Sequence, residues 1–179
     1  MRIYTRTGDD GTTGLLFGGR VPKDSAQPAA CGDVDEAQAT LGLARSAAGA
    51  GSELESILVR LQRELWVLMA ELATAPENRS KLRPEVSLVS AGMVEGLERL
   101  IDDLSGRFEP PSEFVVPGQS LASAFLDLAR TVVRRAERQA LAVAQPGSHV
   151  VPYLNRLSDL LWTMARWQED EPLPARSRE

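Results

Sequence analysis

The sequence predicts an all-α protein, and three observations carry that reading. Apolar residues recur at three- and four-residue spacing over long stretches. Ala, Leu, Arg and Glu are abundant, whereas aromatic residues make up only 5% of the chain. Glycine and proline gather in a few short tracts that mark where helices stop. At 179 residues, with 43% hydrophobic and 25% charged side chains, the chain can bury one good core but is too short for two ordinary domains without a clear linker.

The elements follow in order. "TGDDGTTGLLFGG", from Thr7, packs five glycines, three threonines and two adjacent aspartates into a stretch that cannot be a helix. "RVPKDSAQPAACGD", with Pro22 and Pro28, continues it as loop, so residues 1–32 read as an ordered glycine-rich strap. A short first helix is expected from Asp33 as N-cap, with Asp35 and Glu36 in its first turn, to Gly49 and Gly51. Leu54, Ile57, Leu58, Leu61, Leu65, Leu68, Met69 and Leu72 mark a long amphipathic second helix between Ser52 and Thr74. "APENRSKLRP" breaks the pattern, and Leu88, Val89, Met93, Val94, Leu97, Leu100, Ile101 and Leu104 rebuild it as a third helix that Ser105 and Gly106 stop. The proline-rich "RFEPPSEFVVPGQS" must be loop or short extended chain, and a fourth helix runs from Leu121 to Gln145. Pro152 falls just before or at the start of the fifth, "YLNRLSDLLWTMARWQ". Five stripes with short connections predict a five-helix bundle with ferritin-like up-down packing, comprising residues 1–168 as one domain and 169–179 as a flexible tail.

Composition narrows the chemistry. A net charge of −5 gives no general attraction to nucleic acid. Cys31 and His149 are the only residues of their types, which argues against a disulfide framework, a Cys/His zinc site and His-centred triads. They read as a small packing residue and a solvated loop side chain; Trp66, Trp162 and Trp167 read as helix-face packing. "MRIYTRTGDD" lacks an apolar h-region and no run of about 18 apolar residues occurs, so the expectation is a cytoplasmic protein with no membrane span.

On the fourth helix, Asp127, Arg130, Arg134, Glu137 and Arg138 share a face roughly opposite Leu121, Phe125, Leu128, Val132 and Ala136. Arg130, Arg134 and Arg138 stand at i, i+4 and i+8, where like charges repel by a few tenths of a kcal/mol per pair. A solvated face with local ion pairs is the plain explanation, but a self-repelling ladder points to an anion as its missing partner, and arginine forks suit phosphate oxygens. The strap fits the same ligand, through backbone N–H groups, threonine hydroxyls and Asp9 or Asp10 for a magnesium ion. It lacks the lysine of a Walker loop.

"IYTRTGDDGTTGLLFGGRVPKD", "GDVDEAQATLGLA", "FVVPGQS", "LARTVVRRAER" and "YLNRLSDLLW", spread in order over nearly the whole chain, together resemble the PduO-type ATP:cob(I)alamin adenosyltransferases. The resemblance implies a homotrimer in which ATP lies between the strap of one subunit and the arginine helix of the next. It implies ATP contacts from Thr5, Thr7, Gly8, Thr13, Lys23, Arg134, Glu137, Arg138 and Asn155, with Glu137 on the ribose or magnesium side, and an intersubunit pair of Asp35 with Arg130. Arg134, Phe114, Arg130 and Asp35 would carry catalysis, with ATP and cob(I)alamin as substrates and Mg²⁺ as cofactor. Phe114 would lie against the lower face of the corrin, displace the axial base and leave a four-coordinate cob(II)alamin that is easier to reduce. A cobalamin reductase or an adenosylcobalamin-dependent mutase would be further partners.

Three positions depart from the family pattern: Asp127 stands where histidine is expected, Gln119 replaces a glycine, and "VDEAQ" replaces "VDELN". Asp127 and Gln119 fall near the expected corrinoid, which keeps open a non-catalytic ATP- or corrinoid-binding relative, or one that delivers adenosylcobalamin. Asp127 pairing with Arg130 within the helix is the remaining expectation.

Overall fold

The computed structural model describes residues 3–176, and these are mostly helical. Five α-helices are present among them: α1 (Ala26–Ala47), α2 (Glu53–Leu72), α3 (Ala91–Ser105), α4 (Leu121–Ala140) and α5 (Val150–Trp167). A 3-10 turn at Pro76–Lys81 follows α2. Two antiparallel ribbons complete the structure. Strand β1 (Thr12–Gly14) pairs with β2 (Arg20–Pro22), and β3 (Val115–Val116) pairs with β4 (Leu173–Pro174).

Helix starts are fixed by serine caps. Ser52 accepts from the Glu55 amide, Ser90 from the Met93 amide, and Ser120 and Ser123 satisfy each other's amides in a capping box ahead of α4. Helix α2 buries Leu54, Leu58, Leu61, Leu65, Leu68 and Leu72 on one face, each contributing about 1.5–3 kcal/mol by leaving water. Helix α1 buries mainly small residues, Ala30, Val34, Ala37, Leu41 and Ala44, and packs most extensively against α4, whose buried face includes Ala122, Ala129, Ala136 and Ala140. Small side chains on both helices suit a close approach. Helix α5 lies against α3 and α4, and its Tyr153, Leu154, Leu157, Leu160, Leu161 and Met164 are fully buried. Among the described residues no helix is long and apolar enough to cross a membrane.

Several boundaries and faces differ from the sequence reading. Helix α1 starts at Ala26, with Ser25 at the N-cap, rather than at Asp33, because Pro28 sits in the first turn where its missing N–H costs nothing. Helix α4 ends at Ala140 instead of reaching Gln145, and α5 starts three residues before Tyr153, with Pro152 again in the first turn. Leu121 and Leu128 face outward at 67% and 45% exposure, while Asp127, expected on the polar face, is buried. The segment expected as a flexible tail holds β4 and the fully buried side chain of Glu169. Trp66 is 65% exposed rather than packed. His149 takes the N-cap position of α5 and is half-buried. Cys31 packs against the core beneath the Met69 carbonyl, and burial pushes its thiol up to about 11.

Candidate active site

The strap is organised by Arg20. Its guanidinium donates to the Thr7 carbonyl at 2.6 Å and to Thr12 Oγ1 at 2.9 Å through Nε and 2.6 Å through Nη2, closing the turns at residues 7–11 onto the β1–β2 ribbon. Asp10 accepts from the Thr12 amide and hydroxyl, and these hydrogen bonds, with Arg20 nearby, hold its carboxyl below the usual carboxylate range. Thr5 and Thr7 hydroxyls lie 2.8 Å apart, and Thr13 pairs with Val21 in the ribbon. The Lys23 ammonium lies over Gly8, where an added Cβ would come within 3.0 Å of Nζ. Gly11, Gly18 and Gly19 take positive φ, the conformation these turns need. The Leu16 amide donates to the Ala73 carbonyl at 2.9 Å, tying the strap to the end of α2.

The second group of side chains lies on α4 and α5. Asn155 donates to Glu137 Oε1 at 3.1 Å across the helix pair, and Arg138 donates to the Arg134 carbonyl at 2.9 Å. Arg134 is exposed and has no carboxylate partner among the described residues. Arg135 points elsewhere and pairs with Asp33 and Glu36 of α1. Asp35 is exposed on α1 and forms no ion pair among the described residues. No hydrogen bond or ion pair among the described residues joins the strap to the α4 arginines.

A cleft of about 480 Å³ forms the third part, between the Pro111–Pro117 segment and the α4–α5 pair, with Phe114, Asp127, Arg130, Trp162 and Arg166 in its lining. Phe114 projects at 90% exposure from the start of β3. Asp127 spends both oxygens on arginines: Oδ1 on Arg130 Nε at 2.9 Å and Oδ2 on Arg166 Nη2 at 2.6 Å. The expected pairing of Asp127 with Arg130 within the helix is present, one turn apart, and Arg166 adds a second partner from α5. Arg166 also pairs with Glu169 and sits 5.8 Å from the Trp162 ring centroid.

Residues 3–168 match the family described as Cobalamin adenosyltransferase. The chain belongs to this family. A corrinoid adenosyltransferase of Citrobacter freundii is 41% identical over 174 residues, covering 96% of this chain and 97% of that protein. One from Mycobacterium tuberculosis is 42% identical and covers 92% of this chain and 87% of its own length. Among solved structures, a phenylalanine-to-alanine variant of the PduO-type ATP:corrinoid adenosyltransferase of Lactobacillus reuteri, complexed with cobalamin and ATP, superposes with a TM-score of 0.88 at 28% identity, covering 98% of this chain and 100% of that one. An arginine-to-lysine variant of that enzyme, complexed with ATP, gives 0.86 at 27% identity, covering 97% of this chain and 100% of that one.

In this member of the cobalamin adenosyltransferase family, the structure brings together Thr5 with Thr7, Gly8 with Lys23, Glu137 with Asn155, Arg134 with Arg138, and Phe114 with Asp127 and Arg130 around the cleft. Among the described residues no side-chain hydrogen bond or ion pair joins these sets within one chain. Sequence reasoning missed Arg20, Arg166 and Glu169. The polar Arg166 inside the apolar run "LLWTMARW" was the available signal, but its two acidic partners lie across a helix contact and past the helix end. Among the described residues no cluster of three His, Cys, Asp or Glu could hold a metal ion.

Proposed function

We propose that the chain transfers the 5′-deoxyadenosyl group of ATP to the cobalt of cob(I)alamin, giving adenosylcobalamin and triphosphate. The observation that carries the reading is the exposed Arg134, without a carboxylate partner among the described residues, on the same helix as the cleft residues Asp127 and Arg130. The ATP and cobalamin bound by the structural relatives support both substrates. The chemistry needs no histidine. The cobalt electron pair forms the new bond to the 5′ carbon while the bond from that carbon to the triphosphate oxygen breaks. The protein's part is to hold the two atoms in line and to stabilise charge on the leaving group.

In this reading Thr5, Thr7, Gly8, Thr13 and Lys23 of one copy and Arg134, Arg138, Glu137 and Asn155 of the next enclose ATP. Among the described residues no side-chain hydrogen bond or ion pair joins the two sets within one chain, in keeping with a site shared between copies. The assembly is a cytoplasmic homotrimer of five-helix, ferritin-like bundles, each a single domain preceded by the ordered strap, and Asp35 meets Arg130 of a neighbour. Arg130 keeps the outer fork of its guanidinium for that role, since only Nε is used by Asp127. Mg²⁺ would arrive on the ATP phosphates, with Glu137 and Asp9 or Asp10 as the carboxylates available to it, and would neutralise phosphate charge. Phe114 contacts the lower corrin face, and Asp127 bounds the corrinoid site. The charge of Asp127 is met by two arginines, so its departure from the family pattern leaves no loose carboxylate against the substrate.

Anaerobic incubation with Mg-ATP and chemically reduced cob(I)alamin tests the proposal. Adenosylcobalamin and triphosphate in equal amounts are the expected products; ATP binding by calorimetry without either product would instead favour a binding or delivery protein.

A further inference from the structure

A chain of four charges runs through the wall of the cleft. Arg130 is partly exposed at its outer end; Asp127, Arg166 and Glu169 follow inward with side chains 4%, 2% and 0% exposed. Asp127 ties α4 to α5 through Arg166, and Arg166 Nη2 donates to Glu169 Oε1 at 3.0 Å while its Nε lies 2.8 Å from Oε2 as an ion pair without an aligned hydrogen bond. Glu169 is the anchor of the segment that leaves α5. Six residues later the Ala175 amide donates to the Phe114 carbonyl at 2.7 Å, next to the pairings of Val115 with Pro174 and Val116 with Leu173.

The segment 169–175 is thus fastened at both ends, to the charge chain on one side of the cleft and to the Phe114 loop on the other. Burial makes the fastening selective, because a buried carboxylate or guanidinium that loses its partner is costly, so the four groups hold one arrangement. We infer that Arg166 and Glu169 are positioning residues for corrinoid binding: through Asp127 they fix Arg130, and through the 169–175 segment they fix Phe114, so that both sides of the cleft are set together. This rests on the reading of the cleft as the corrinoid site.

The test compares Glu169→Gln, Arg166→Met and Ala175→Pro with the unsubstituted chain, measuring cob(II)alamin affinity with Mg-ATP present and the KM for each substrate. The expected result is a loss of corrinoid affinity and a rise in corrinoid KM of about tenfold, with the ATP KM unchanged and partial recovery in Glu169→Asp. Ala175→Pro removes only the N–H that Phe114 accepts, on an exposed ribbon, and leaves the buried pairs intact, so it carries the test if a buried variant fails to fold. Unchanged corrinoid affinity in folded variants, or equal losses for both substrates, overturns the inference. If the unsubstituted chain itself fails to bind cob(II)alamin, the functional reading falls and takes this inference with it.

Discussion

Arg166 Nη2 donates to Asp127 Oδ2 at 2.6 Å between two side chains that are almost wholly buried, joining α4 to α5 beneath the cleft. Removing the acid leaves Arg166 and Arg130 to share a dry wall with only Glu169 to balance them. Asp127→Leu is therefore expected to destabilise the fold by about 3–5 kcal/mol. Arg130→Met, whose side chain is already 28% exposed, is expected to cost about 1 kcal/mol or less. Urea unfolding of the two variants measures the difference; equal costs would contradict the buried-network account.

Tyr153 donates its hydroxyl to Glu64 Oε2 at 2.6 Å, and burial, with the Glu64 charge, raises the phenol well above its usual 10.0. The folded state thus holds the proton more tightly than the unfolded chain. That stabilisation is fully present below the ordinary phenol value and is lost as pH rises past it, so the wild-type chain should lose stability above about pH 10 with a slope that Tyr153→Phe lacks. Unfolding free energies between neutral pH and pH 11 decide the point, and parallel curves would refute it.

A Cβ at Gly8 would press on the flexible end of Lys23, with Nζ at 3.0 Å, and on the Thr12 carbonyl at 3.2 Å, so it would displace the Lys23 ammonium. Gly8→Ala should raise the ATP KM by about tenfold while leaving the corrinoid KM and the thermal midpoint unchanged. Arg20→Met, which releases Thr7 and Thr12 together, should behave likewise. A shift in the corrinoid KM instead would mean that the strap serves another ligand.

A site shared between copies predicts complementation. Lys23→Ala disables the strap and Arg134→Ala the arginine face, so each variant alone is inactive. Mixed and reassembled, some sites pair an intact strap with an intact arginine face, and activity should return to a fraction of the wild-type level. Inactive mixed assemblies would place both sets in one subunit.

Phe114 is almost fully exposed, so Phe114→Ala should leave stability and ATP binding unchanged. Activity that starts from cob(II)alamin should fall sharply, and activity that starts from cob(I)alamin much less. Unchanged turnover from cob(II)alamin would reject its place at the corrin face.

Helices α2 and α3 were legible because one apolar stripe per helix faces one core, and the periodicity records this directly. The start of α1 was not, because Pro28 reads as a breaker until it is known to sit in a first turn. The outward Leu121 and Leu128 and the inward Asp127 show the limit of a helical wheel. Which face is buried depends on where α1 and α5 lie, and an acid is buried only if distant arginines come to meet it. Resemblance made the candidate strap and arginine residues legible. Arg20 and the Arg166–Glu169 pair were not, since their roles are long-range hydrogen bonds that no local pattern encodes.

The most direct measurement follows the loss of cob(I)alamin absorbance, anaerobically and with saturating Mg-ATP, for the wild-type chain and Arg134→Ala. Rapid loss is expected for the wild type and a rate lower by about a hundredfold or more for the variant, with the fold intact. Equal rates would contradict a phosphate clamp on α4, and no turnover by the wild-type chain would contradict the transferase itself.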